Sequence, residues 1–76
     1  MTAGLDQETA VRAIVVNGEA REARASTLAE LLAEFGYGGQ KVATAVNGEF
    51  VAERARGETR LSPGDQIEIV APRQGG

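Results

Sequence analysis

The fold is decided by residues 27–36, T-L-A-E-L-L-A-E-F-G. Four apolar side chains recur there at intervals of three and four residues, which places them on one face of a helix. They are Leu28, Leu31, Leu32 and Phe35. Thr27 can cap the first turn, with Glu30 reaching back in a capping box, and Gly36 is placed to end the helix in a left-handed conformation. A helix of about two turns is not stable alone in water, so we expect the apolar face to dock on a sheet.

The residues before this helix are predicted to form a β-hairpin. Residues 11–16, V-R-A-I-V-V, are rich in β-branched side chains and therefore favour a strand. They run into Asn17-Gly18, a pair that accepts the positive φ angles of a tight hairpin turn. Residues 19–24 have weak strand propensity of their own, but the turn before them predicts a second strand.

A second hairpin is predicted after the helix. Residues 42–46 alternate toward Asn47-Gly48, and residues 49–53 follow as a short strand. The sequence V-N-G-E therefore occurs twice in the chain. Because the flanking segments do not match, we interpret this repeat as shared turn chemistry rather than as an internal duplication.

The last strand is predicted at residues 66–71. Pro63-Gly64 precedes it and places proline before glycine, as a type II turn requires. Pro72 cannot donate a backbone hydrogen bond and therefore ends the ladder of this strand. Residues 54–60 are polar and are predicted to be an irregular connection.

These elements predict an α+β fold with the order β-β-α-β-β-β. The order requires a non-local pairing between the first hairpin and the last strand, with the helix lying across a mixed sheet. That architecture is the β-grasp, or ubiquitin-like, fold. It divides the chain into a flexible N-terminal lead-in at residues 1–10, a β-grasp domain at residues 11–72 and a flexible C-terminal tail at residues 73–76.

The composition excludes most enzyme and nucleic-acid functions. The chain has 76 residues, enough for one domain with little room for an internal pocket, and it contains no cysteine and no histidine. It therefore lacks cysteine nucleophiles and the commonest metal ligands, and no metal site is predicted. A net charge of -3, with eight dispersed Lys and Arg residues, argues against nucleic-acid binding. No apolar run approaches the roughly 20 residues of a membrane span, so we expect a cytoplasmic protein without a membrane partner.

The C-terminal pair Gly75-Gly76 offers a reactive group that the composition otherwise lacks. Two residues without a Cβ form a narrow strip that can enter a cleft and bring the terminal carboxylate against a nucleotide phosphate. A carboxylate becomes a good acyl electrophile when it is joined to AMP, so this chemistry needs ATP and a separate enzyme. Taken alone, however, two terminal glycines are more often a frayed chain end than a functional site.

Four segments occur in the order found in one known family. They are T-L-A-E-L-L from Thr27, A-V-N-G-E-F-V from Ala45, L-S-P-G-D-Q-I-E-I-V from Leu61, and the terminal A-P-R-Q-G-G. With these segments the chain resembles the ThiS family, the sulfur carriers of thiamine biosynthesis. The most specific part is G-D-Q-I-E-I-V running into a short tail that ends in Gly-Gly. Family members usually begin close to the first strand, whereas this chain has residues 1–10 before it.

The resemblance implies a carrier protein that is acted on by enzymes and is not itself an enzyme. Gly76 would be adenylated by a ThiF-like activating enzyme using ATP and Mg²⁺, and would become a thiocarboxylate with sulfur from a sulfur-donating enzyme. A ThiG-like thiazole synthase would then take the sulfur. Gly75 would give the reacting group access, and Arg73 and Gln74 would be tail positions that partners read. No cofactor would be bound stably.

Several alternatives stay open. A related β-grasp carrier could feed molybdopterin or cysteine biosynthesis with the same fold and tail. A β-grasp interaction module without covalent chemistry could instead recruit a partner through surface carboxylates. Asp65 and Glu68 could form a catalytic carboxylate pair, although solvated surface charge is the better interpretation. Whichever of Val15, Phe50 and Val70 lie on the outer face of the sheet could form an apolar patch for a partner.

Overall fold

The computed structural model describes residues 11–72, so the predictions for residues 1–10 and 73–76 lie outside the described residues. Within residues 11–72, five strands and one α-helix follow one another in the predicted order, with a short 3-10 helix before the last strand. The elements are β1 (Arg12–Val16), β2 (Glu19–Ala23), α1 (Leu28–Glu34), β3 (Ala43–Val46), β4 (Glu49–Val51), the 3-10 helix (Glu53–Glu58) and β5 (Gln66–Val70). This α+β arrangement is the predicted β-grasp fold.

The strands join one mixed sheet in the order β2-β1-β5-β3-β4. β5 lies in the middle, parallel to β1 and antiparallel to β3. Ile67 is aligned with Val16 on one side and with Val46 on the other. The last strand therefore joins the two hairpins to each other, which is the non-local pairing predicted from the element order.

Both hairpins turn on Asn-Gly pairs, as predicted. The φ angle is +51° at Asn17 and +53° at Asn47, and the glycines that follow lie at +84° and +86°. Two successive positive φ angles are the signature of the type I′ turn that matches the twist of a hairpin. The two V-N-G-E segments therefore share one turn geometry.

The ends of α1 are held by the residues predicted to cap them. Thr27 Oγ1 accepts a hydrogen bond from the backbone N–H of Glu30 at 3.2 Å. The Glu30 carboxylate reaches back to the backbone N–H of Ser26 at 2.8 Å, one residue earlier than in a standard capping box. Gly36 follows the helix with a φ of +87°, the left-handed conformation that ends it.

The core lies between α1 and the inner face of the sheet. Its buried apolar residues are Ile14, Val16, Ala23, Ala25, Leu28, Leu31, Leu32, Leu61, Ile67 and Ile69. The three leucines of α1 are buried, and Phe35 packs against the edge of the same cluster. Each buried leucine or isoleucine contributes about 1.5–3 kcal/mol, so docking on the sheet maintains a helix too short to be stable alone.

A buried arginine fastens the 3-10 helix to the sheet. Arg56 donates from Nε to Thr44 Oγ1 at 3.0 Å and from Nη2 to the carbonyl oxygen of Val42 at 2.7 Å. Thr44 in turn donates to the carbonyl oxygen of Val51 at 2.8 Å. The prediction of an irregular connection at residues 54–60 is therefore wrong over most of its length, because one charged side chain folds inward to these acceptors.

Strand β2 ends at Ala23, one residue earlier than predicted, because a helix side chain takes the amides that follow. The Glu34 carboxylate accepts hydrogen bonds from the backbone N–H groups of Arg24 and Ala25 at 2.9 to 3.1 Å. Bonds to a charged acceptor are stronger than those of a ladder between neutral groups. The crossover from the first hairpin to α1 is thereby fixed against the end of the helix.

Candidate functional site

Strand β5 leads directly to the residues on which the sequence-based hypothesis depends. It ends at Val70, one residue before the predicted end, and Ala71 and Pro72 follow as the last described residues. Because β5 is the central strand, the chain leaves the sheet from its middle rather than from an edge. The four predicted tail residues lie outside the described residues, and their roles stay predictions; they are Arg73, Gln74, Gly75 and Gly76.

The number of residues after Pro72 limits where a partner can contact the domain. Four residues separate Pro72 from the end of the chain. A fully extended chain spans at most about 3.3–3.6 Å per residue, so any group carried by Gly76 lies within about 14 Å of Pro72. A partner that binds this segment would therefore meet the domain around the end of β5.

Small and apolar side chains cover the outer face of the sheet near that end. β5 alternates buried and exposed residues, which places Glu68 and Val70 on the face opposite α1. Val70 pairs with Ala43 across the sheet, and Ala45 lies between Glu68 and Phe50. We call the apolar residues of this area the outer-face patch; they are Ala43, Ala45, Phe50 and Val70.

The two large side chains of the outer-face patch are unusually exposed. Phe50 retains 73% of its accessible surface and Val70 retains 60%. Their cross-strand partners are alanines, which are too small to shield the ring or the branched side chain. Contiguous exposed apolar surface of this kind is typical of a contact site for another protein.

Of the three residues predicted for an outer apolar patch, the structure links two, Phe50 and Val70, through Ala43 and Ala45 of the strand between them. Val15 lies on the same face, opposite Gln66 of β5, but it is half-buried and near the other end of the strand. It is four residues along the sheet from Val70, or about 13 Å. Phe50 and Val70 therefore belong to the outer-face patch, and Val15 lies outside it.

The charge on the outer face is acidic. Among the strand residues of this face, Glu22 and Glu68 carry negative charge, and none is Lys or Arg. Glu68 lies directly beside Ala45 of the patch. A partner with basic side chains around an apolar centre would complement this surface.

A groove of about 850 Å³ lies next to the end of the described chain. Ala43, Phe50 and Pro72 line it, so it is continuous with the outer-face patch. Lys41 and Arg56 also line it, but Arg56 already donates to the sheet as described above. The groove gives a partner a concave contact beside the flat patch.

The structure supports the surface interpretation of Asp65 and Glu68. The Asp65 carboxylate accepts hydrogen bonds from Asn47 Nδ2 at 3.1 Å and from the backbone N–H of Ser62 at 2.8 Å. It therefore stabilises the turn before β5. Glu68 lies three residues further on and is exposed on the outer face. The two carboxylates do not face a common site.

Among residues 11–72, no three acidic side chains are grouped so that they could hold a metal ion. No helix in the described part of the chain is long and apolar enough to cross a membrane.

Comparison with known proteins gives two findings that bear on this site. The model of the ThiS family matches residues 14–76, a range that includes the tail. The structure is similar to the crystal structure of a thiamine biosynthesis protein (ThiS) from Geobacter metallireducens, with a TM-score of 0.70 and 26% identity over 84% of this chain and 99% of that chain. A search of curated proteins found no significant match.

Proposed function

The chain belongs to the ThiS family of sulfur carriers in thiamine biosynthesis, and from this membership we propose that its terminal residue, Gly76, carries the sulfur as a thiocarboxylate. The observation that carries the proposal is that the family match continues to residue 76 and so includes Gly75 and Gly76. The described part of the chain supports it by leading from the central strand into that segment, beside an exposed apolar patch.

The reaction we propose starts at the carboxylate of Gly76. One of its oxygens attacks the α-phosphorus of ATP, and pyrophosphate leaves while Mg²⁺ offsets its charge. The resulting acyl adenylate has AMP as its leaving group. Hydrosulfide delivered by the donor enzyme attacks the carbonyl carbon, AMP departs with one of the original carboxylate oxygens, and the sulfur loses its proton. One sulfur thereby replaces one oxygen, and the product is a thiocarboxylate.

The other tail residues have supporting roles in this proposal. Gly75 has no Cβ, so the strip of chain before the reacting group stays narrow enough to enter the cleft of the activating enzyme. Arg73 and Gln74 are the positions whose side chains partners read. Four residues follow Pro72 up to Gly76, so an enzyme that binds Gly76 also meets the domain surface near the end of β5.

The outer-face patch is where we place the body of the activating enzyme. Aromatic residues are enriched among the side chains that dominate protein interfaces, and Phe50 is the largest exposed one here. A stable interface of standard size covers about 800 Å² on each partner. The patch alone is smaller than that, so Glu68 beside it and the adjoining groove complete the contact.

The proposal assigns the catalytic groups to three partners. A ThiF-like enzyme adenylates the tail with ATP and Mg²⁺, a sulfur-donating enzyme supplies the sulfur, and a ThiG-like thiazole synthase receives it. The carrier itself is a co-substrate with no stably bound cofactor. Transfer to a molybdopterin synthase or into cysteine biosynthesis is the competing outcome, and a comparison of sulfur transfer to the different acceptors separates the pathways.

The test is incubation with the ThiF-like enzyme, ATP, Mg²⁺ and a sulfur donor, followed by intact mass spectrometry. We expect the mass change of one oxygen replaced by one sulfur. Oxidation of Met1 adds nearly the same mass, so the product is also treated with an alkylating reagent, which modifies a thiocarboxylate and not a sulfoxide. A carrier that gains no alkylatable group in the complete reaction would contradict the proposal and favour the non-covalent interaction module.

A further inference from the structure

The two Asn-Gly turns do more than reverse the chain, because each asparagine side chain also holds the backbone of β5. β1 runs parallel to β5 and β3 runs antiparallel to it, so their turns lie at opposite ends of that strand. Asn17 lies toward the end of β5 from which the tail leaves. Asn47 lies toward its beginning.

The Asn17 side chain extends the pairing of β1 with β5 beyond the point where β1 turns away. The Asn17 backbone N–H donates to the carbonyl oxygen of Ile67 at 2.9 Å, which is the last backbone bond of that pairing described on this side. Its side chain then accepts from the backbone N–H of Ile69 at 2.9 Å and donates to the carbonyl oxygen of the same residue at 3.1 Å. The amide group therefore takes the place of the next residue of a strand.

This contact matters because of where Ile69 lies. β3 holds the other side of the strand end, through the pairing of Val70 with Ala43. On the β1 side, the Asn17 side chain supplies the bonds to Ile69, and Pro72 follows three residues later. Without that side chain, the end of β5 would be held from one side only, and water would solvate the exposed groups of Ile69.

Asn47 is a natural control for this contact. Its φ angle matches that of Asn17, and glycine follows it in the same type of turn. Its side chain accepts from the backbone N–H of Gln66 at 2.9 Å and donates to Asp65 Oδ1 at 3.1 Å. It thus makes two bonds as Asn17 does, but at the end of β5 that is remote from the tail.

We propose that Asn17 is a positioning residue for the reaction at the C-terminus: it holds the end of β5 from the β1 side and so sets the direction in which the tail enters the activating enzyme. This inference rests on the proposed function of Gly76. Asn17 is not part of the outer-face patch, so docking of the domain does not depend on its side chain. A tail that starts from a loosened strand end places its carboxylate less accurately against ATP, and misplacement by about 1 Å can lower a rate by up to about 100-fold.

The test compares Asn17→Gly with Asn47→Gly. Glycine removes the side-chain bonds while keeping a residue that accepts the positive φ of the turn, so neither variant adds backbone strain. The rate of adenylation is measured from the release of pyrophosphate. The assay is run at a temperature where circular dichroism shows that all the proteins are folded. For Asn17→Gly we expect kcat to fall by roughly tenfold with an unchanged KM for the carrier, because docking is intact and placement is not. For Asn47→Gly we expect both constants to stay within about twofold of the wild type.

A conservative variant, Asn17→Asp, and hydrogen exchange of the Ile69 amide test the same contact in two further ways. Asn17→Asp keeps an oxygen that accepts from the Ile69 N–H but loses the donor to the Ile69 carbonyl, so its kcat should lie between those of wild type and Asn17→Gly. Hydrogen exchange of the Ile69 amide should follow the same order, with no change in Asn47→Gly. Equal kcat values for the two glycine variants, or a loss that appears in KM, would overturn the inference while leaving the carrier function intact. Failure of the wild type to be adenylated at all would overturn both.

Discussion

Replacing Phe50 with alanine tests whether the outer-face patch is the docking surface of the carrier. An aromatic side chain of this kind presents about 200 Å². Phe50 retains 73% of its surface in the free protein, so a partner can cover about 145 Å² of it. At about 25 cal/mol per Å², covering this area contributes at most about 3.6 kcal/mol to the binding free energy. Because binding realises only part of such an area term, we expect Phe50→Ala to lose about 2 kcal/mol of binding free energy.

A loss of about 2 kcal/mol corresponds to a dissociation constant raised roughly 30-fold. Isothermal titration of the ThiF-like enzyme with the carrier measures it directly. The thermal midpoint of Phe50→Ala should stay close to that of the wild type, since the side chain is exposed and outside the core cluster. Val15→Ala is the matched control, because Val15 lies on the same face but outside the patch.

Two results would contradict the docking role of the outer-face patch. If Phe50→Ala binds the activating enzyme as tightly as the wild type does, the outer-face patch is not the contact surface. A similar loss of affinity in Phe50→Ala and Val15→Ala would mean that the whole outer face responds to substitution, so the effect could not be assigned to the patch.

Three further variants test the roles of the core, the buried arginine and the tail. Leu31→Ala should lower the free energy of unfolding by about 2–5 kcal/mol, measured by urea denaturation, because Leu31 is fully buried under the helix. Arg56→Ala should lower it by about 1–3 kcal/mol and increase hydrogen exchange in the 3-10 helix, since the bonds to Thr44 and to the Val42 carbonyl oxygen are lost; unchanged exchange there would contradict the fastening role. Deletion of Gly76 should abolish sulfur loading with almost no change in thermal midpoint, because the described core lies within residues 14–69. A large fall in midpoint on that deletion would mean that the tail contributes to the fold.

Local signals in the sequence account for most of the fold. The Asn-Gly pairs determine the two hairpin turns through their backbone preferences, and Gly36 ends α1 for the same physical reason. The spacing of the leucines identifies the helix face that the structure buries. The order of these elements is then enough to predict that β5 pairs with β1, because a mixed sheet with one helix has few alternatives.

Contacts between distant residues could not be predicted in the same way. The inward turn of Arg56 depends on acceptors at Val42 and Thr44, and nothing in the composition of residues 54–60 distinguishes that arginine from its exposed neighbours. The bonds from Asn17 to Ile69 join residues 52 positions apart. β2 ends one residue earlier than predicted because the Glu34 carboxylate of α1 accepts hydrogen bonds from the backbone N–H groups of Arg24 and Ala25.

The candidate site was predictable only in part. The sequence offers Val15, Phe50 and Val70 as candidates for the outer face, but it does not say which strand lies beside which, and so not that Phe50 and Val70 share one patch. The pairing of β3 with both β4 and β5 brings those two residues around Ala43 and Ala45, and this pairing leaves Val15 apart. The roles of Arg73, Gln74, Gly75 and Gly76 stay predictions.

The position of the transferred sulfur decides whether Gly76 is the carrier residue. After the complete reaction and alkylation, the carrier is digested and the C-terminal peptide is sequenced by tandem mass spectrometry. We expect a single alkylated sulfur at the carboxyl terminus of Gly76, dependent on ATP and absent from the variant that lacks this residue. Sulfur found at any other position, or incorporated equally well without Gly76, would contradict it.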